Sequence, residues 1–160
     1  MRSDTQVLFE TYRQNVYAAA FSVCKNAADA EDILQETFLQ YHQTNKQFDS
    51  EQHIRAWLLR VALNRAKDVY RQKKRRRETA LEDYMETLTF PSPESGALFS
   101  AVMALPEHYR SVIHLFYYED YTIDEIAKLL RLTQSNVKVR LSRARKLLKE
   151  SLGEDWNDDE

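Results

Sequence analysis

Apolar residues return at intervals of three and four along most of the chain, the spacing that gathers them on one face of an α-helix. In "AADAEDILQETFLQYHQ" the inward stripe is Ala30, Ile33, Leu34, Thr37, Phe38 and Tyr41. In "TQSNVKVRLSRARKLLKES" it is Val137, Leu141, Ala144 and Leu148. "LFETYRQNVYAAAFSVCKN" keeps the same period, as does "HIRAWLLRVALNRAKDVYRQKKRRRE", where Ile54, Trp57, Leu58 and Val61 turn inward. Strong helix formers dominate, and the 160 residues include only two Gly and three Pro. An all-α fold is the expectation.

Breaks in the pattern divide the chain. Residues 1–77 predict three or four helices, with a polar loop at "TNKQFDSEQ". From 78 to 94 the periodicity weakens and Pro91 and Pro93 close the stretch, which marks a linker. Ser92 followed by Pro93 suits a helix start, and residues 95–153 resume the helical period. Pro106 fits the first turn of a helix through "PEHYRSVIHLFYYED", and Thr122 with Glu125 fits a capping box for the short helix "IDEIAKLL". The basic helix that opens at Thr133 or Gln134 follows after a tight turn. A short helix, a tight turn and a longer helix predict a helix-turn-helix. Residues 154–160 form an acidic tail that contains Trp156. The expected architecture is two small helical domains joined by a linker.

Charge changes the picture, because a net charge of −2 hides strong segregation. Residues 55–77 and 128–149 together hold 18 of the 23 Lys/Arg, against a single acid, Asp68. Two cationic stretches in an otherwise acidic chain point to polyanion-binding surfaces. On the last helix, Ser135, Val139, Ser142 and Lys146 lie opposite the apolar stripe, flanked by Lys138 and Arg145 on one side and Asn136, Arg140 and Arg143 on the other. On the long helix, Arg60, Asn64, Lys67, Arg71 and Lys74 fall in one row about 20 Å long. Cations at that spacing suit successive phosphates, and only Asp68 is at hand locally to neutralise them. The acidic helix has a different outer face, with Asp32, Gln35, Glu36 and Leu39 exposed and Asp29 at the edge. A leucine amid carboxylates suits a basic protein partner as well as it suits a solvated surface.

Other chemistry finds little support. Cys24 is the only cysteine, which rules out an intrachain disulfide, and His42, His53, His108 and His114 lack metal-ligand spacing. No nucleophile, acid and base stand together, so neither catalysis nor a cofactor is expected. Tyr41, Phe48 and Trp57, near the polar loop, are candidates for core packing or for stacking on unpaired bases. The amino terminus has no long apolar stretch, and nothing approaches a membrane span, so a cytoplasmic protein is expected, with no insertion of this chain into a membrane. From the residues alone, a stand-alone DNA-binding regulator and a helical protein-interaction bundle both stay open.

Three segments narrow that choice. "DAEDILQETFLQ", "AWLLRVALNRAKDVYRQKKRR" and "LPEHYRSVIHLFYYEDYTIDEIAKLLRLTQSNVKVRLSRARKLL" resemble, in order and spacing, the hallmark stretches of extracytoplasmic-function (ECF) sigma factors, promoter-recognition subunits of bacterial RNA polymerase. The likeness spans about residues 1–152. It implies a region 2-like domain at 1–77 and a region 4-like domain at 95–153. Asp29, Asp32, Gln35, Glu36 and Leu39 would then face core RNA polymerase. The row Arg60, Asn64, Lys67, Arg71 and Lys74, with Asp68 and Arg75 beside it, would face the melted minus-10 element of promoter DNA. Gln134, Ser135, Asn136, Lys138, Val139, Arg140 and Arg143 would face the minus-35 duplex. The resemblance further implies an anti-sigma protein as a partner. One departure concerns the helix-turn-helix turn, where the family commonly has glycine and this chain has Arg131, which requires either a left-handed residue or a different turn.

Overall fold

Asp4 starts the first helix by turning its carboxylate onto the backbone N–H groups of Gln6 and Val7, at 2.9 and 3.2 Å. This satisfies donors that a helix leaves unpaired at its N-terminus. Helix α1 runs over Thr5–Cys24 and stops where Lys25 adopts a left-handed conformation. Asn26 caps the next helix, α2 (Ala27–Gln43), by accepting from the N–H of Asp29 at 2.9 Å. Helix α3 (Glu51–Thr79) follows a loop in which the Ser50 hydroxyl accepts from the N–H of His53. The computed structural model describes residues 2–79 and 96–153. The chain divides into two compact units, Met1–Glu82 and Asp83–Glu160.

In the first unit α1, α2 and α3 pack against one another. All six residues of the stripe expected on α2 are buried. Ala19, Ala20, Ala30, Ala62 and Ala66 are fully enclosed, and their small side chains let the helices approach closely around Leu8, Val16, Ile33, Leu58 and Leu59. Tyr41 and Phe48 are also buried, with ring centroids 5.7 Å apart, and Trp57 meets both edge-on. The Tyr41 and Phe48 rings are core, and Trp57 is half-buried against them. Tyr41 also holds the segment before α1, since its hydroxyl donates to the Ser3 carbonyl and accepts from the Ser3 N–H, both at 3.0 Å. Cys24 is buried, and that burial pushes its thiol pKa above the ordinary value, which suits a packing role rather than a reactive one.

The second unit contains α4 (Gly96–Met103), α5 (Glu107–Ile113), α6 (Ile123–Leu130) and α7 (Gln134–Leu152). Helix α7 is its spine, with α4, α5 and α6 all packed on it and Val137, Leu141, Ala144 and Leu148 buried as the period predicts. Pro106 occupies the N-cap of α5, one position before the expected first turn. The helix start expected at Ser92 and Pro93 and the acidic tail lie outside the described residues, as does most of the expected linker. Helix α3 runs two residues into the linker range, to Thr79.

One local expectation fails. The helix through "PEHYRSVIHLFYYED" does not continue as α, because His114–Tyr118 widens into a π-helical turn in which the Glu119 N–H donates to the His114 carbonyl at 3.1 Å. The wider turn accompanies a buried polar pair, with His114 Nε2 at 2.8 Å from Glu119 Oε2. Two enclosed polar groups thereby satisfy each other.

Thr122 and Glu125 form the capping box in full, each side chain bonded to the other residue's backbone N–H, at 3.2 and 2.9 Å. Thr122→Ala should lower the stability of the second unit by about 1 kcal/mol, measured as a shift in the urea midpoint with unchanged slope. At the far end of α6, Arg131 is left-handed, with φ 58°. Its N–H and that of Leu132 both return to the Ala127 carbonyl. A non-glycine residue here costs roughly 1 kcal/mol, and these capping bonds offset it.

Candidate nucleic-acid and partner interfaces

Thr133 begins α7 by accepting from the Asn136 N–H at 3.0 Å, so the basic helix starts immediately after the α6 turn and projects its first residues outward. Gln134, Ser135, Asn136, Lys138, Val139 and Arg143 are exposed, and Arg140 is half-buried. Val139, at 44% exposure, is an apolar group on an otherwise hydrogen-bonding surface. The side chains of this surface are tied to neighbours. Gln134 Nε2 donates to Asp124 Oδ1 on α6 at 2.8 Å, and Arg140 Nε donates to Asn136 Oδ1 at 2.8 Å. Asp124 also pairs with Lys128 at 3.0 Å.

Arg145 behaves differently from the other cations of α7. Its Nε donates to the Tyr117 hydroxyl at 2.8 Å, and its guanidinium lies over the Phe116 and Tyr117 rings at 5.3 and 5.7 Å. The aromatic π-turn therefore holds it against the unit's own surface through cation–π contact. Its charge contributes to the field of the helix more than to a direct contact.

Along α3, Asn64, Asp68, Arg71, Lys74 and Arg75 are exposed, while Arg60 and Lys67 are half-buried. The row is real but narrows toward its N-terminal end. Asp68 is not the sole acid within reach of this helix, as the sequence suggested. Across from it, Asp29 pairs with Lys73 at 2.6 Å and Glu36 with Arg65 at 3.0 Å. Both acids come from α2, and both cations sit beside the expected row rather than in it.

Those pairs also divide the expected partner face of α2. Asp32, Gln35, Glu36 and Leu39 are exposed, Leu39 at 55%, whereas the Asp29 side chain is only 18% exposed and occupied by Lys73. Asp29 therefore fastens α2 to α3. Beside this face lies a cleft of about 560 Å³ lined by Glu36, Leu39, Gln40, Asn64, Arg65 and Asp68, among others. Glu36 and Leu39 of the α2 face and the Asn64 and Asp68 edge of α3 thus line one depression. Sequence reasoning missed that adjacency, because it depends on how the two helices cross.

The described residues hold no cluster of three or more His, Cys, Asp or Glu side chains able to bind a metal ion, and none of their helices is long and apolar enough to cross a membrane.

Comparison with known proteins joins these surfaces into one description. Residues 8–76 match the Sigma-70 region 2 family, and residues 95–148 match the Sigma-70, region 4 family. The RNA polymerase sigma factor SigV of Bacillus subtilis is 31% identical over 86% of this chain and 84% of its own length. The ECF RNA polymerase sigma factor SigX of the same organism is 28% identical over 100% of this chain and 91% of its own. Among solved structures, the sigma factor RpoE bound to the anti-sigma factor NepR from Bartonella quintana shares the fold, with a TM-score of 0.77 at 22% identity over 94% of this chain and 98% of that one. CnrH in complex with the cytosolic domain of CnrY aligns with a TM-score of 0.67 at 28% identity, over 95% and 89% of the two chains. With a region 2 unit followed by a region 4 helix-turn-helix and sigma factors matching along its length, the chain belongs to the ECF group of the sigma-70 family of RNA polymerase sigma factors.

Proposed function

We propose a division of labour among the three faces in which α2 docks on core RNA polymerase, α3 reads the melted minus-10 element and α7 reads the minus-35 duplex. As a sigma factor, the chain directs promoter-specific transcription initiation. The assignment of faces rests above all on the shared cleft, which brings the acidic and apolar surface of α2 against the Asn64 and Asp68 edge of α3. A polymerase element seated on α2 would hold the single strand over α3. Residues 1–77 serve as the first module, 78–94 as the tether and 95–153 as the second module. The tether raises the effective concentration of each module at its own promoter element, so two weak sites act together.

Asp32, Gln35, Glu36 and Leu39 make the docking contact, and Asp29 supports it from beneath through Lys73. Asn64, Asp68, Arg71, Lys74 and Arg75, with Arg60 and Lys67 as the half-buried end of the row, follow the minus-10 strand. Because Tyr41 and Phe48 are core, unpaired bases are held by polar contacts and by the exposed part of Trp57 rather than by an open aromatic pocket. Melting follows from tighter binding of unpaired than of paired bases, without nucleotide hydrolysis by this chain. The work is done in the cytoplasm, where polymerase and promoters meet. RpoE is seen with the anti-sigma factor NepR, and CnrH with the cytosolic domain of CnrY. An anti-sigma protein that covers the same faces is the expected inhibitor of this chain.

Run-off transcription on a genomic promoter library, with purified core polymerase, tests the proposal. Selective transcripts are expected only when chain and core are both present, and the chain alone should bind duplex DNA weakly. Tight binding of the free chain to a palindromic site, with no effect on core polymerase, would instead make it a stand-alone regulator.

A further inference from the structure

A primary amide has two unlike ends, a carbonyl oxygen that only accepts hydrogen bonds and an NH₂ that only donates them. Which end faces a ligand decides what the residue recognises. At the start of α7 two amides have that choice made by neighbours. An ionised carboxylate can only accept, so the Gln134 atom 2.8 Å from Asp124 Oδ1 must be the amide nitrogen. An arginine Nε can only donate, so the Asn136 atom 2.8 Å from Arg140 must be the amide oxygen. The neighbours' chemistry settles both orientations. The wholly uncommitted end of Gln134 is its acceptor oxygen and that of Asn136 its donor NH₂, and both residues are exposed in the first turn of the recognition helix.

We infer that Asp124 and Arg140 are positioning residues that fix opposite hydrogen-bond polarities on Gln134 and Asn136 and so set part of the minus-35 base preference. The inference rests on the proposed placement of α7 against the minus-35 duplex. In the major groove an outward acceptor favours base edges with a donor, cytosine N4 or adenine N6. An outward donor favours guanine O6 and N7, thymine O4 or adenine N7. The bidentate amide pairing with adenine needs both ends turned to one base edge, and each internal bond restricts that pose by fixing how the amide plane is turned, although one N–H of Gln134 and one lone pair of Asn136 stay uncommitted. Lys128, bound to the other Asp124 oxygen, keeps the carboxylate in place and offsets its charge near phosphates. Thr133 fixes the Asn136 backbone through its N–H.

The test uses holoenzyme assembled from the full chain and core RNA polymerase, on templates with a randomised minus-35 element, and reads base preference at each position rather than total output. Asn136→Asp keeps the bond to Arg140 but turns an acceptor outward. It should shift one position from guanine or thymine toward cytosine by about 10-fold. Asp124→Ala releases the Gln134 amide to turn its NH₂ outward and should relax another position by about 5-fold, admitting guanine and thymine beside cytosine and adenine. Asp124→Asn retains an acceptor oxygen and should keep the parental preference. If Asp124→Ala fails to fold, Asn136→Asp carries the test alone, since Asn136 is exposed and an acid in the first helical turn is favourable. Parental preferences in Asn136→Asp and Asp124→Ala, while Gln134→Ala and Asn136→Ala alter them, would overturn the inference and leave the placement of α7 standing. If those alanine variants also leave every preference unchanged, the placement itself fails, and the inference with it.

Discussion

Replacing Arg140 and Arg143 together with alanine is expected to lower minus-35-dependent transcription about 100-fold near 0.15 M salt. Each charge-assisted contact to a phosphate or base contributes roughly 1.5 kcal/mol, and two such losses amount to about two decades of affinity. Neither change threatens the fold. Both residues lie off the buried stripe of Val137, Leu141, Ala144 and Leu148, and alanine favours helix at least as well as arginine. Arg140→Ala also frees the Asn136 oxygen, so its single-variant effect should exceed that of Arg143→Ala and should include a loosened base preference. The measurement is multi-round transcription with core enzyme in excess, paired with thermal unfolding of each variant. If transcription stays within threefold of the parent and the double variant is folded, α7 does not read the promoter.

The same contrast explains what was legible in the sequence. The stripes of α2 and α7, the capping box at Thr122 and Glu125 and the bounds of α6 all depend on residues within one or two helical turns of each other, and periodicity carries that information. What escaped depends on residues far apart in sequence or on two weak preferences in competition. The π-turn is one such case. "HLFYYED" has good helical period, and the wider turn goes with a buried pair, His114 and Glu119, that period alone does not reveal. For Phe48, set in a polar loop, the sequence leaves core packing and base stacking both open, and the packing of its ring on Tyr41 and Trp57 from other segments makes it core. For Arg131 the sequence allows a left-handed residue or a different turn, and it is left-handed, with φ 58° and capping bonds to the Ala127 carbonyl.

Charge shows the distinction best at the candidate sites. Composition located both cationic stretches, yet it could not separate cations committed to the protein's own surface from those left to face a ligand. Lys73 and Arg65 are held by α2 acids, and Arg145 is held by Tyr117 and Phe116. These pairings cross between helices, so no spacing rule within one helix finds them. They also sharpen the sites. With Arg145 set aside, the proposed reading surface of α7 contracts to its first three turns, where the two polarised amides lie. With Asp29 set aside, the partner face of α2 centres on Asp32 and Leu39.

That centring yields the second large expected effect. Asp32→Lys combined with Leu39→Ser should weaken association with core polymerase about 100-fold, while Asp29→Asn should leave it within about threefold. An apolar anchor at the middle of an interface commonly contributes 2 kcal/mol or more, and reversing a charge that faces a basic partner slows encounter as well. Leu39 is the one large apolar side chain exposed on this face, which makes it the natural anchor. Both substituted positions are exposed, so the three-helix core is untouched. Asp29→Asn acts elsewhere, loosening the tie between α2 and α3 by removing the charge opposite Lys73, and so it should appear in unfolding measurements rather than in docking. Fluorescence anisotropy of the labelled full chain, titrated with core enzyme, separates the two effects. If the double variant binds core as tightly as the parent, α2 is not the docking face. If Asp29→Asn weakens docking as strongly as the double variant while remaining fully folded, the contact surface extends across the Lys73 pair, and α3 must share in holding the polymerase.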